Sequence, residues 1–203
     1  MDEELKDGEN EGSKKTRMLQ KPLKDIEKEI SKFGWARIGN SQVTLWHRPG
    51  VGDIKELRLK AGVTLIVTLL SNKEQPAAIQ QECRSVGIEN FHIEINGANA
   101  ALLSDKKTIK IIKDNLKSLH KILQENEHRC LIHCAAGIHR TGTLSYSLLR
   151  MDGREAKEAY ETLKVMRLAT YEGVGDWRIA LAEKLILPSI MNNVINTEEE
   201  EKK

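Results

Sequence analysis

Residues 130–142 read Cys-Leu-Ile-His-Cys-Ala-Ala-Gly-Ile-His-Arg-Thr-Gly, and this stretch decides which fold the chain can adopt. It opens with a short apolar run, Cys130 to His133, which is typical of a buried strand. Small residues and one glycine follow Cys134, and Arg140 then opens an apolar helical pattern. The stretch therefore predicts a strand, a tight loop and a helix, with Cys134 where the strand ends.

The loop has the composition of a phosphate site with a nucleophile at its base. A cysteine is a good nucleophile as its thiolate, which a helix N-terminus or a cation stabilises. The N–H groups of small residues can turn inward around an oxyanion, and the following helix adds its positive dipole end. Arg140 supplies a planar fork for two phosphate oxygens, and Thr141 can place a hydroxyl near the sulfur. The candidate phosphate-binding residues are Cys134, Ala135, Ala136, Gly137, Ile138, His139 and Arg140.

The pattern His133-Cys134, five residues, Arg140-Thr141-Gly142 resembles the signature loop of the cysteine-dependent protein tyrosine and dual-specificity phosphatases. The resemblance implies that Cys134 attacks phosphorus to form a phosphocysteine, which water then hydrolyses without a metal or a cofactor. It implies that Arg140 and the loop amides hold the phosphate oxygens. Thr141 would stabilise the thiolate, and His133 would orient the loop. His139, just before the arginine, would face the substrate and add charge below neutral pH.

The general acid that this mechanism needs is where the sequence departs from the family pattern. Relatives carry an Asp on a loop upstream of the cysteine, between a strand and the long helix. The equivalent segment here, residues 96–105, has Asn96 in a slot that is often acidic and contains one carboxylate, Asp105. Asp105 is the candidate acid, and helix capping is the competing interpretation. The other carboxylates that could serve are Asp53, Glu74, Glu172 and Asp176.

The rest of the chain alternates between apolar strand and helix patterns. The predicted strands are 35–38, 43–46, 63–70, 91–95 and 130–133, and the predicted helices are 22–32, 52–60, 75–86, 104–125, 140–151, one that follows a capping box at 152–155 and ends at 167, and 176–191. Such alternation implies an α/β fold, with helices on both faces of a central, mainly parallel, twisted sheet. The resemblance implies the same protein-tyrosine-phosphatase-like architecture. We expect a disordered tail over 1–20, a phosphatase domain over 21–191 and a charged tail over 192–203.

Composition excludes several classes of protein. With 203 residues and a net charge of +2, the chain fits one domain and shows no basic excess that would require nucleic acid. The longest apolar run, 63–70, is too short to span a membrane, and the acidic N-terminus lacks a signal-peptide pattern. Three cysteines argue against a disulfide scaffold and for the cytoplasm or the nucleus. Cys83 or Cys130 could still form a reversible disulfide with Cys134 under oxidation.

The leading hypothesis for function is hydrolysis of phosphotyrosine, and also of phosphoserine or phosphothreonine, in a phosphorylated protein substrate. The alternatives are a phosphoinositide or inositol phosphate phosphatase and an RNA 5′-triphosphatase. Relatives that act on inositides often carry lysines in the loop, where this chain has Ala135, Ala136 and Ile138. A third alternative is a non-catalytic module that binds phosphorylated residues, although the intact Cys134 favours an enzyme. The sequence does not indicate an oligomeric state.

Overall fold

The computed structural model describes residues 23–191, so both predicted tails lie outside the described residues. The strands are β1 (Ala36–Ile38), β2 (Ser41–Trp46), β3 (Leu65–Thr68), β4 (Glu89–His92) and β5 (Arg129–His133). The helices are α1 (Leu23–Ile30), α2 (Val51–Ala61), α3 (Ala77–Ser85), α4 (Ala100–Ser104), α5 (Lys106–Glu125), α6 (His139–Met151), α7 (Ala156–Met166), α8 (Leu168–Gly173) and α9 (Asp176–Leu181). A 3₁₀ turn covers Asn72–Glu74, and a π-helical segment, Ala182–Ile186, continues α9.

The five strands form one sheet in the order β1-β2-β5-β3-β4. β5 lies at its centre and pairs in parallel with both β2 and β3, so that Ile132 stands between Leu45 and Val67. β4 extends the parallel part, and β1 forms an antiparallel edge with β2. The predicted α/β fold with a mainly parallel sheet is confirmed, and its central strand is the one that leads into Cys134.

Two apolar layers cover the sheet, because successive side chains of a strand point to opposite faces. On β5, Ile132 packs into the layer that contains α5, α6 and α7, whereas Leu131 packs into the layer that contains α2 and α3. Both side chains are fully buried, which explains why β5 and its neighbours are almost purely apolar. Among residues 23–191, no helix combines the length and the apolarity needed to cross a bilayer.

Two predicted helices are interrupted in the structure. The predicted helix 75–86 begins only at Ala77, because Gln75 adopts a left-handed conformation with φ of 53° after the 3₁₀ turn. The predicted helix 104–125 is divided at Asp105, whose extended backbone separates the short α4 from α5. The strand predicted over 63–70 is shorter, spanning Leu65–Thr68.

The chain after α6 differs most from expectation. Residues 152–155 do not form a capping box, because α7 follows Glu155 without a side-chain cap, and Asp152 instead accepts a hydrogen bond from the Gly39 N–H at 2.8 Å. α8 was not predicted, and Asp176 is the first residue of α9. Asp53 lies within the first turn of α2 and accepts from the Gly50 N–H.

Asp152 joins the β1–β2 turn to the end of α6, so its loss should destabilise the fold. Its second carboxylate oxygen accepts from Arg154 at 2.7 Å, and the pair is mostly buried. We expect Asp152→Ala to lower the free energy of unfolding by about 1–3 kcal/mol, because the Gly39 N–H loses its acceptor. Urea denaturation measures this loss. Glu158→Ala is the matched control, because this exposed carboxylate lies 3.8 Å from the same Arg154 and should change stability by less than about 0.5 kcal/mol. Equal losses in the two variants would contradict the assignment.

Candidate active site

Cys134 lies at the carboxyl end of the central strand, where α/β folds place their ligands. Its side chain is only 3% exposed. The loop that follows leads directly into α6, and the Gly142 N–H closes the first turn by donating to the Ile138 carbonyl at 2.7 Å. The strand, loop and helix predicted for residues 130–142 are confirmed.

His133 is fully buried and holds the backbone at the cysteine. Its Nδ1 lies 3.2 Å from the Cys134 carbonyl, which can only accept, so Nδ1 carries the proton. Its Nε2 then accepts from the Thr68 hydroxyl at 3.1 Å, and that hydroxyl itself accepts from the Asn90 side-chain amide at 2.9 Å. Burial, reinforced by the charges of Arg48 and Arg140, lowers the pKa of His133 to about 4. The ring is therefore neutral near pH 7, which suits a positioning residue.

The loop closes tightly because Gly137 sits against the neighbouring strand. Its φ is 69°, and a Cβ at this position would lie 2.0 Å from the Trp46 carbonyl oxygen. Only glycine tolerates both the left-handed backbone and this approach. On the same side, the Arg48 N–H donates to the Ala135 carbonyl at 3.0 Å, which fixes the start of the loop to the segment after β2.

The carbonyl groups of the loop are held from behind by α8 and the residue before it. One guanidinium nitrogen of Arg167 donates to the Ala136 and Gly137 carbonyls at 3.0 and 2.8 Å. The buried Thr170 hydroxyl also donates to the Gly137 carbonyl, at 2.6 Å. Carbonyls that are held outward leave the N–H groups of the same peptides directed inward. The sequence did not identify Arg167 and Thr170 as loop contacts, because nothing local to either residue signals the distant carbonyl it binds.

The Cys134 thiol lies in an environment that stabilises its thiolate. Burial alone would raise the pKa, but it is outweighed by the Thr141 hydroxyl, the N–H groups of Thr141 and Ile138, and the charge of Arg140, so the pKa of Cys134 is lowered. The Thr141 hydroxyl is buried and makes no hydrogen bond to nitrogen or oxygen within the described part of the chain. Its proximity to the sulfur is thus its main polar interaction.

Arg140 is positioned by a bidentate ion pair with Glu74. Its two terminal nitrogens donate to the two carboxylate oxygens at 2.7 and 2.8 Å, and one of them also donates to the Ile95 carbonyl at 3.0 Å. A guanidinium has five N–H groups. The three used here leave the Nε–H and one terminal N–H, which form a second fork along the other edge. The Arg140 side chain also interacts with Cys134 through its charge and a hydrogen bond, so this edge faces the sulfur, where it can donate to a phosphate.

Glu74 is committed to this ion pair and does not fit the role of a proton donor. It also accepts from the N–H and the hydroxyl of Ser71, both at 2.9 Å. The hydrogen bond from Arg140 and those from Ser71 lower its pKa to about 2. A general acid must be protonated near the working pH. Glu74 is therefore a positioning residue for Arg140, which corrects its place among the alternative acids.

Asp105 caps α5, as the competing interpretation held. Its carboxylate accepts from the Thr108 N–H at 2.8 Å and from the Thr108 hydroxyl at 3.0 Å. These two bonds lower its pKa, and the residue is exposed. The geometry therefore disfavours Asp105 as the acid. Within residues 23–191, Asp53, Glu172 and Asp176 make no hydrogen bond to the signature loop either, since Asp53 binds the Gly50 N–H and the other two lie exposed beside the Gly173–Gly175 turn.

His139 is the first residue of α6, and its ring is exposed. Partial desolvation and the nearby positive charges of Arg178 and Arg140 lower its pKa. The imidazole is therefore neutral at neutral pH and gains charge only under more acidic conditions than an ordinary histidine. It is a weaker source of positive charge for the substrate than the sequence suggested.

The three cysteines are free, and the geometry opposes a disulfide to Cys134. Cys130 and Cys134 are four residues apart on one extended segment, about 13 Å, whereas a disulfide requires Cα atoms within roughly 7 Å. Cys83 is buried in the apolar layer on the opposite face of the sheet, and burial raises its pKa to about 11. The proposed protective disulfide is therefore incompatible with the folded structure.

Fold and site together define a protein of the cysteine-dependent phosphatase class. The sequence model of the tyrosine phosphatase family matches residues 53–153, a span that includes Glu74, Cys134 and Arg140. This match agrees with the resemblance found in the sequence, which is confirmed. A search of curated protein sequences finds no match.

Solved structures with the same fold include phosphatases of several kinds. The active form of Tk-PTP superposes with a TM-score of 0.56 at 20% identity, covering 75% of this chain and 95% of that one. The catalytic core of the PP-IP phosphatase Siw14 from S. cerevisiae gives 0.53 at 16% identity, covering 81% and 92%. A kinase associated phosphatase with serine in place of its catalytic cysteine gives 0.51 at 18% identity, covering 73% and 94%. These similarities establish the fold, while the substrate classes differ among the three.

The Glu74–Arg140 ion pair should appear in the pH dependence of stability. The folded pKa of Glu74, about 2, lies below its ordinary value of 4.5, so the stabilisation is complete above about pH 4.5 and is lost as the pH falls towards 2. We expect it to be worth about 2–3 kcal/mol, less than the full shift because the side chain is 29% exposed. In urea denaturation, the stability difference between wild type and Glu74→Gln should shrink as the pH falls from 5 to 2.

The matched control for that experiment is Glu94→Gln. Glu94 accepts hydrogen bonds from Asn72 rather than from Arg140, so this variant should follow the wild-type pH profile. A stability difference between wild type and Glu74→Gln that stayed constant down to pH 2 would show that the carboxylate is not stabilised by Arg140.

Proposed function

We propose that the protein hydrolyses phosphoesters through a phosphocysteine on Cys134, and that its substrates are proteins phosphorylated on tyrosine. The observation that carries the proposal is the edge of Arg140 that Glu74 leaves open, which faces a cysteine whose pKa is lowered. A thiolate and a charge fork that share one small loop fit the phosphoryl group of a monoester. The loop N–H groups that Arg167 and Thr170 orient supply the remaining donors.

In the proposed reaction the Cys134 sulfur attacks phosphorus while the phosphoester oxygen departs on the opposite side. The new S–P bond replaces the O–P bond, and the oxygen leaves with a proton or as an anion. Arg140 and the loop amides stabilise the charge that grows on the equatorial oxygens. Water then attacks the phosphocysteine, which releases phosphate and restores the thiolate that Thr141 and the helix N-terminus stabilise.

The fate of the leaving oxygen favours tyrosine over alkyl phosphoesters. Glu74 is ionised and paired with Arg140, and Asp105 caps α5, so neither carboxylate is placed to protonate the leaving group. General acid catalysis typically contributes about 10²–10⁴-fold. Without it, a phenolate leaves more readily than the alkoxide of serine, threonine or inositol, because the phenol is the stronger acid, with a pKa of about 10. We therefore propose phosphotyrosine first, with phosphoserine and phosphothreonine as poorer substrates, in the cytoplasm or the nucleus.

A substrate panel tests the proposal. It contains an aryl phosphate, phosphotyrosine and phosphothreonine peptides, a phosphoinositide, an inositol pyrophosphate and a 5′-triphosphate RNA, each with wild type and Cys134→Ser. We expect turnover of the aryl phosphate and the phosphotyrosine peptide, and its loss in Cys134→Ser, because a serine hydroxyl is not ionised at neutral pH. Phosphate release is the measurement. Turnover by Cys134→Ser would exclude the phosphocysteine, while turnover restricted to the inositol pyrophosphate or the RNA would assign another substrate class.

The capping role of Asp105 predicts a small effect for Asp105→Asn. Asparagine caps helices about as well as aspartate, so α5 should keep its first turn and stability should change little. Turnover of the phosphotyrosine peptide should fall less than about threefold, and kcat should keep its dependence on the leaving group. A loss of tenfold or more on the peptide, together with unchanged turnover of an aryl phosphate that has an activated leaving group, would instead identify Asp105 as the general acid.

A further inference from the structure

One peptide group of the signature loop, the one that joins Gly137 to Ile138, makes hydrogen bonds on both of its sides. Its carbonyl accepts from the Thr170 hydroxyl at 2.6 Å and from a terminal nitrogen of Arg167 at 2.8 Å. Its N–H belongs to Ile138 and donates to the Cys134 sulfur, one of the interactions that lower the pKa of the thiol. The C=O and N–H of a trans peptide point in opposite directions. This peptide therefore lies between the sulfur and two donors from outside the loop.

Both donors are fitted closely to the loop. A Cβ at Gly137 would lie 2.6 Å from the same nitrogen of Arg167, so the glycine is what allows the guanidinium to reach the carbonyl. That nitrogen also donates to the Ala136 carbonyl at 3.0 Å. The Thr170 side chain is fully buried, and its methyl group faces Gly142 in the first turn of α6. These contacts fix the two donors behind the peptide.

Arg167 has no carboxylate partner of its own. Within residues 23–191 it takes part in no ion pair, and its hydrogen bonds go to neutral oxygens. Desolvation lowers its pKa, while the charges of Cys134 and Glu29 favour its charged form. A partly desolvated cation needs a compensating anion. The anion of the active site that the charge of Arg167 reaches is the Cys134 thiolate.

Donors bound to the carbonyl of a peptide make its N–H a stronger donor, because hydrogen bonds in a chain polarise one another. A charged donor such as a guanidinium makes the stronger hydrogen bond. The Ile138 N–H is therefore a better partner for a negatively charged sulfur than an amide whose carbonyl is unbound. A hydrogen bond to the charged form of a group favours that form.

We propose that Arg167 and Thr170 are positioning residues that govern the ionisation of Cys134 through the peptide group between Gly137 and Ile138. This inference deepens the proposed function, and its meaning for catalysis rests on that function. Removal of either donor weakens the hydrogen bond from the Ile138 N–H to the thiolate. The pKa of Cys134 should then rise, and the fraction of thiolate near pH 7 should fall.

The test is the pH dependence of the alkylation of Cys134 by iodoacetamide, which reports the thiolate and needs no substrate. Mass spectrometry of the Cys134 peptide separates it from Cys83 and Cys130, whose pKa values are raised by burial. We expect Arg167→Gln and Thr170→Val each to shift the midpoint upward by about 0.5–1 pH unit relative to wild type, the effect of one hydrogen bond. Circular dichroism checks that each variant is folded.

The controls keep or remove equivalent groups. Thr170→Ser keeps the hydroxyl and should keep the wild-type midpoint, whereas Thr170→Val keeps the methyl group and loses the donor. This pair decides the question if Arg167→Gln does not fold. Arg178→Gln is the matched control for Arg167, because Arg178 donates to the Ala98 and Val174 carbonyls and to none in the loop. Unchanged midpoints in the folded test variants, or an equal shift in Arg178→Gln, would overturn the proposal.

Hydrolysis of the phosphotyrosine peptide separates this inference from the proposed function. With an active wild type, the acidic limb of the kcat/KM profile should move upward with the alkylation midpoint in Arg167→Gln and Thr170→Val. If wild type hydrolyses no substrate of the panel, the proposed function fails, and raised midpoints in the two variants would still support their role. Turnover by wild type together with unchanged midpoints in both variants would overturn that role and leave the proposed function in place.

Discussion

The structure around the site depends on one constraint, which is that three successive carbonyl groups of the signature loop are held by donors from outside the loop. Backbone carbonyls prefer to be satisfied, and a loop of seven residues offers them few partners of its own. Here Arg48, Arg167 and Thr170 provide donors from outside the loop, so the carbonyls of Ala135, Ala136 and Gly137 point away from the sulfur. Carbonyls held in this way leave the N–H groups of the same peptides available on the other side, around the sulfur. The donors come from two segments that are far apart in the sequence, the one after β2 and the one that begins α8.

The ion pair between Glu74 and Arg140 solves a second problem, that of holding a long cationic side chain beside a thiolate. The Arg140 side chain is 10% exposed, so its charge has lost most of its water and needs a partner. A flexible arginine would also lose conformational entropy on binding phosphate. The Glu74 carboxylate accepts from both terminal nitrogens of Arg140, and the Ile95 carbonyl accepts a third N–H. These hydrogen bonds fix the orientation of the remaining edge of the guanidinium. The short 3₁₀ turn after β3 and the left-handed Gln75 place the carboxylate where it can do this.

The parts of the fold that were predictable are those whose signal is local. The apolar run before Cys134, the glycine in the loop and the helical pattern after Arg140 are contiguous, and the structure has each of them in place. Glu74 and Asp105 were both recognised as carboxylates of interest, but their roles depend on partners: Arg140 lies 66 positions from Glu74, and Asp105 turns to Thr108. Arg167 shows the same limit, since its loop contacts lie about 30 positions away. Long-range partners do not leave a pattern in a single sequence.

The hydrogen-bond partners of Glu74 and Asp105 also bear on how the leaving oxygen departs in the proposed reaction. In the proposed reaction, Arg140 and the loop would assist bond formation to phosphorus, whereas Glu74 and Asp105 are bound to other partners and would not assist departure of the oxygen. This difference is the reason for proposing phosphotyrosine ahead of phosphoserine and phosphothreonine.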